Sequence, residues 1–176
     1  NDILDIARIE AGKMALVLEA VDVREIALDA LTTTRGLVQD SAVELRTEFA
    51  PHLPLIDADP VRLRQILLNL LSNAAKFTSE GFVQLEIYPD GEHHLQIAVQ
   101  DTGIGLAESD FARIFTAFEQ IEKRDGQPLR GTGLGLPITK RLVDMHQGEI
   151  WVESELGQGT IFHVVLPVKQ LDHSAN

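Results

Sequence analysis

Asn69, Asn73 and Lys76 lie within two turns of one another on the stretch Asp59 to Thr78, DPVRLRQILLNLLSNAAKFT. Spacings of four and three residues put them on one side of a helix. Two amide oxygens and an ammonium group in a row suit a metal–phosphate ligand, because the amides accept and the cation neutralises. The same residues would also serve as the wet face of a surface helix, and this stretch alone leaves both readings open.

The helix that carries them is well marked. Asp59 suits the cap and Pro60 the first helical position. Arg62, Gln65, Asn69, Ser72, Asn73 and Lys76 fall within roughly a 100° arc, and most of the remainder is Val, Leu, Ile, Ala and Phe, with Arg64 the misfit. A helix this apolar is mostly buried, so its narrow polar stripe is expected to line a groove.

The other elements follow from periodicity. Residues 1–18 are predicted as a helix on the spacing of Ile3, Ile6, Ala7, Ala11 and Met14, and a second helix runs from Asp22 to Gln39. Val43, Leu45, Thr47 and Phe49 alternate with polar residues as in a strand. Val83, Leu85 and Ile87 pair with Leu95, Ile97 and Val99 in a hairpin turned at Pro89 to Gly91. A short helix is expected over Ser109 to Phe115, a polar loop over Glu119 to Arg130, and a helix from Gly131 to Met145. A last hairpin joins Ile150 and Val152 to Phe162, Val164 and Leu166. The sum is an α+β fold: a two-layer sandwich of a mainly antiparallel five-stranded sheet with three helices on one face.

At 176 residues the chain is one domain with an appendage. Its net charge of −12 argues against a general nucleic-acid or membrane surface. The same charge opposes a polyanionic ligand, although screening beyond about 8 Å lets a local cation cluster override it. Cysteine is absent, which excludes disulfides and thiol catalysis. No apolar run reaches the length of a membrane span. The expectation is a cytoplasmic domain, from a parent protein either soluble or membrane-anchored.

Two glycine runs are present. Gly131, Gly133 and Gly135 precede a helix, where backbone N–H groups can approach phosphates. Asp101-Thr-Gly-Ile-Gly105 follows a strand. Neither has the spacing of a Walker loop or a dinucleotide fingerprint. Each alone is explained as well by a turn or a hinge.

Taken in order, Asn-x-x-x-Asn-Ala-x-Lys-Phe-Thr, Asp-Thr-Gly-Ile-Gly, Phe115-Thr-Ala-Phe118 and Gly-Thr-Gly-Leu-Gly-Leu closely resemble the catalytic and ATP-binding domain of sensor histidine kinases. That family shares the GHKL superfamily with gyrase-type topoisomerases, MutL-type repair proteins and a heat-shock chaperone. The resemblance covers nearly the whole chain and implies a Bergerat-type ATP-binding fold. Residues 1–18 resemble the end of a dimerisation and phosphotransfer helix, 19–169 the catalytic domain, and 170–176 a disordered tail.

The resemblance also implies roles. Asn73 would give an oxygen to Mg²⁺, Asn69 would reach the metal's waters or the triphosphate, and Lys76 would neutralise phosphate. Phe77 would lie near base or ribose, or pack in the core. Asp101 would accept the adenine amino group, with Gly103 and Gly105 letting the backbone pass close by. Arg130 would reach the γ-phosphate, and Gly131, Thr132, Gly133, Leu134, Gly135 and Leu136 would close over the phosphates. Lys123 and Arg124 read as solvated charges, and Phe115 and Phe118 as the base of a lid. Gly157 and Gly159-Thr160 read as a structural hairpin. Glu44-Leu-Arg-Thr47 resembles the family's phosphoacceptor box but has Val43 in place of its histidine, so the acceptor is expected upstream.

The implied activity is an ATP-dependent protein-histidine kinase of a two-component system, using ATP and Mg²⁺. Its implied partners are its own dimerisation and phosphoacceptor domain, a response-regulator receiver domain and, for the full-length protein, a second copy. The alternative is a nucleotide-binding module or ATPase of the same superfamily without histidine phosphotransfer.

Overall fold

The computed structural model describes residues 1–119 and 133–168. In chain order these form α1 (Asp2–Glu10), β1 (Glu19–Val21), α2 (Val23–Val38), β2 (Ala42–Phe49), β3 (Ile56–Ala58), α3 (Pro60–Phe77), β4 (Glu80–Asp90), β5 (His94–Asp101), α4 (Gly135–Met145), β6 (Glu149–Glu155) and β7 (Gly159–Pro167). The expected lid over Glu119 to Arg130, apart from Glu119, lies outside the described residues, as does the expected tail over 170–176.

The main sheet has the order β2-β4-β5-β7-β6. Its β4–β5, β5–β7 and β6–β7 pairings are antiparallel, as expected, but β2 runs parallel to β4. The sheet is therefore mixed. Between β2 and β4 the chain makes β3 and α3, and a crossover of this kind is what lets two neighbouring strands run the same way.

One face of the sheet is apolar by alternation. Val83, Leu85 and Ile87 of β4, Leu95, Ile97 and Val99 of β5 and Val164 and Leu166 of β7 are all buried. Helices α2, α3 and α4 cover that face. α3 sits centrally and buries Leu63, Ile66, Leu67, Leu70, Leu71 and Ala74. Each such Leu or Ile contributes about 1.5–3 kcal/mol by leaving water.

The apolar pattern missed three features. β1 and β3 form a separate antiparallel pair of three residues each, too short to show a period. α1 ends at Glu10 rather than continuing to residue 18. Gly12, at φ +65°, closes it: Gly12 N–H bonds Ile9 O at 3.0 Å and Lys13 N–H bonds Arg8 O at 2.8 Å. That pair is the Schellman stop, which needs a residue tolerant of the left-handed region. Instead of the short helix expected over Ser109 to Phe115 there are two 3₁₀ turns, Glu108–Asp110 and Arg113–Phe115. No described helix is long and apolar enough to cross a membrane.

Candidate functional site

The polar stripe of α3 divides into two halves. The first is covered by α1: Arg62 Nη1 pairs with Asp5 at 3.4 Å and donates to Gln65 Oε1 at 2.9 Å, while Gln65 Nε2 donates to Asp5 Oδ2 at 3.0 Å. The misfit Arg64 lies off the stripe and pairs with Asp29 of α2. The second half, Asn69 to Lys76, is what remains for a ligand.

Asn69 faces the start of α4. Its Nδ2 donates to Gly135 O and to Thr139 Oγ1, both at 3.1 Å, bringing the two sequence motifs into contact. Asn73 is half-buried, with no polar atom sealed from solvent. Lys76 Nζ stands 5.3 Å from the centroid of the Phe77 ring, a cation–π contact, and partial burial lowers its pKa.

The Asp101–Gly105 loop is clamped between α3 and the last hairpin. Ile104 N–H bonds Phe77 O at 3.3 Å, and Gly157 N–H bonds Ile104 O at 2.8 Å. A Cβ at Gly103 would lie 2.3 Å from Phe77 O, and one at Gly105 would lie 2.0 Å from Glu155 O. Both positions therefore require glycine. Asp101 ends β5, is 6% exposed and accepts Gly103 N–H at 2.9 Å. Burial pushes its carboxyl pKa up, against the opposing pull of the Gly103 and Thr160 backbone N–H groups. A buried carboxylate with spare acceptor capacity at the end of a strand is suited to a ligand N–H.

Phe115 is half-buried against the core, edge-on to Phe162 at 6.4 Å. Phe118 is 67% exposed at φ +64°, and its N–H bonds Gly133 O at 3.2 Å. Leu134 is buried in the core, so its side chain anchors the start of α4, and Leu136 is half-buried beside it. Arg130, Gly131, Thr132, Lys123 and Arg124 lie outside the described residues.

Sequence reasoning missed three contributors. Thr139 holds Asn69. Thr160 is buried opposite Asp101 in the β5–β7 ladder, its hydroxyl 2.8 Å from that of Ser154. His146 ties α4 to the cap of α3. Thr160 is legible in the sequence only as part of the structural hairpin, and Thr139 leaves a signal as a hydroxyl on the apolar side of its helix.

The side chains on this half of the stripe are amides and one lysine, and among the described residues no group of three or more His, Asp or Glu side chains could hold a metal ion. This set is too weak to hold a bare divalent cation. It fits Mg²⁺ that keeps its waters and takes most of its oxygens from phosphate.

Residues 58–170 match the family model described as histidine kinase-, DNA gyrase B- and HSP90-like ATPase. The chain belongs to this family. Its match begins one residue before the Asp59 cap and takes in the Asn, Asp, Phe and glycine motifs. Among relatives, the non-motile and phage-resistance protein of Caulobacter vibrioides is 43% identical over 176 residues, covering 98% of this chain and 21% of that protein. The circadian input-output histidine kinase CikA of Synechococcus elongatus is 41% identical, over 97% of this chain and 23% of that kinase. The chain thus spans about a fifth of the length of these curated relatives. The crystal structure of full-length ShkA in complex with AMPPNP superposes with a TM-score of 0.85 at 35% identity, covering 97% of this chain and 35% of that one. The mycobacterial sensor histidine kinase MprB gives 0.75 at 28% identity, over 88% of this chain and 100% of that one.

Proposed function

We propose that this chain is the catalytic, ATP-binding part of a two-component protein-histidine kinase. It passes the γ-phosphoryl group of ATP to a histidine imidazole on an upstream helix hairpin. From there the group moves to an aspartate of a response-regulator receiver domain, and the full-length protein acts as a homodimer.

The observation that carries this reading is the amide at position 69. An ATPase of the same superfamily has a glutamate there to activate water. An amide cannot be a general base, and the Asn69 Nδ2 is already engaged by Gly135 and Thr139. Water near the γ-phosphate then lacks an activation typically worth about 10²–10⁴-fold. A neutral imidazole is itself a nucleophile and needs less help. The histidine-kinase names among the relatives, and the AMPPNP complex of ShkA, support the same reading.

The chain's residues divide the work. Asp101 accepts the adenine amino group and disfavours guanine, whose carbonyl would meet the carboxylate without a proton. Gly103 and Gly105 bring backbone close to the base. Asn73 would hold Mg²⁺ through Oδ1, with Asn69 one turn earlier facing the metal's water or the triphosphate; the bound ion supplies charge neutralisation on the phosphates. Lys76 adds positive charge, and Arg130 to Leu136 close the phosphate side.

The test mixes the chain with Mg-ATP and the helix hairpin of its parent protein. Acid-labile, base-stable phosphate is expected on the hairpin, with very slow hydrolysis by the chain alone. Asn73→Ala should abolish the labelling. Rapid hydrolysis by the isolated chain, with no labelled hairpin, would identify an ATPase instead.

A further inference from the structure

Thr139 is fully buried on α4, and its Oγ1 donates to Gly135 O at 2.8 Å. By itself that is the ordinary back-bond of a helical threonine to the carbonyl four residues earlier. What is not ordinary is the third partner. Asn69 Nδ2 lies 3.1 Å from the same carbonyl and 3.1 Å from the same hydroxyl.

The proton count decides the orientation. Gly135 O has no proton to give. Thr139 has one, and it is directed at Gly135 O, so Oγ1 meets Asn69 as an acceptor. Two acceptors therefore face the Asn69 amide from α4, and only its NH₂ end satisfies them. Turned over, the amide would set oxygen against oxygen. The amide nitrogen is thereby turned toward α4. Oδ1 has no partner among the described residues and is not sealed from solvent.

We propose that Thr139 is a positioning residue that fixes the Asn69 amide with only Oδ1 toward the groove, so that Asn69 serves a cation or its bound water and not a phosphate oxygen. Phosphate oxygens are acceptors and need an N–H, and the amide nitrogen is turned toward α4. The Thr139 hydroxyl thus sorts the two partners left open for Asn69. The inference rests on the Mg-nucleotide reading of the groove.

Calorimetric titration of ADP, in excess Mg²⁺ and in EDTA, tests it. The ratio of the two dissociation constants is the magnesium gain. In Thr139→Val, which keeps the shape and removes the hydroxyl, the gain should fall about 2- to 10-fold, as for one lost hydrogen bond. Affinity in EDTA should stay at the wild-type value, and Thr139→Ser should restore the gain. An undiminished gain in Thr139→Val, an equal loss in both media, or no restoration by serine each overturns the assignment. Absence of any magnesium gain in the wild-type chain overturns the Mg-nucleotide reading itself, and this inference with it. Should Thr139→Val fail to fold, the wild-type chain still answers by NMR. The Asn69 side-chain amide signal, identified by its loss in Asn69→Ala, should exchange slowly with solvent. Exchange as fast as that of a free side-chain amide overturns the proposal.

Discussion

His146 Nε2 accepts the backbone N–H of Asp59 at 3.1 Å, across 87 residues of sequence. His146 Nδ1 faces Leu142 O at 2.7 Å, so the ring carries its proton on Nδ1 and presents a bare Nε2 to Asp59. The last turn of α4 is thereby fastened to the first turn of α3, so α4 is tied to α3 near both of its own ends, here and at Asn69. His146→Ala leaves a buried N–H unpaired and a void beside it. The expected loss is about 2–4 kcal/mol in urea unfolding. A loss under about 0.5 kcal/mol would mean that the link carries no load.

The Asp101 carboxylate is the group assigned to the adenine amino proton. Asp101→Asn keeps an acceptor for Gly103 N–H but lets an amide donor face the base. Nucleotide affinity should fall about 5- to 150-fold. Calorimetry returning the wild-type constant, on a variant shown to be folded, would remove Asp101 from the site.

Asp59 and Asp101 should give opposite pH signatures. Burial pushes the Asp59 carboxyl up, but the N–H groups of Val17, Arg62 and Val61 and the Arg62 charge outweigh it, and the pKa is lowered. Its folded value lies below its unfolded one, so its stabilisation is present above about pH 4 and disappears as pH falls through the folded value. Asp101 is raised by burial, despite the Gly103 and Thr160 N–H groups. Between the ordinary aspartate value and the raised one the folded state holds more protons, so there stability declines as pH rises. Urea unfolding across about pH 3 to 7 should show Asp59→Asn shallower on the acid side. Asp101→Asn should remove a decline just above it. Parallel profiles for all three proteins would contradict both assignments.

Gly105 and Gly157 separate backbone strain from crowding. Both have positive φ, +68° and +79°. A Cβ at Gly157 meets nothing within 4 Å, whereas one at Gly105 runs into Glu155 O. Gly157→Ala should cost about 1 kcal/mol from φ alone. Gly105→Ala should cost at least about 3 kcal/mol, because backbone must move as well. Similar melting temperatures for the two variants would show that the loop yields easily.

What sequence alone determined was carried by neighbours along the chain. Asp59 and Pro60 announce the start of α3, and the period of Leu63, Leu67, Leu70 and Ala74 announces its buried face. The alternation of Val83, Leu85 and Ile87 marks a strand, and the order of the Asn, Asp and glycine motifs marks the family. These signals are local because capping, helical period and pleat are set by residues a few positions apart. Tertiary structure alone decided which faces meet. Periodicity says that a side is apolar, not what covers it, so the parallel β2–β4 pairing was invisible. So was the burial of Arg62 and Gln65 under Asp5, 57 and 60 residues away, which narrows the stripe to its second half. Asn69 reads the same in sequence whether it faces water, phosphate or metal. Its partner Thr139, 70 residues on, settles which end of the amide is free, because hydrogen-bond direction belongs to the packed pair and to neither residue separately.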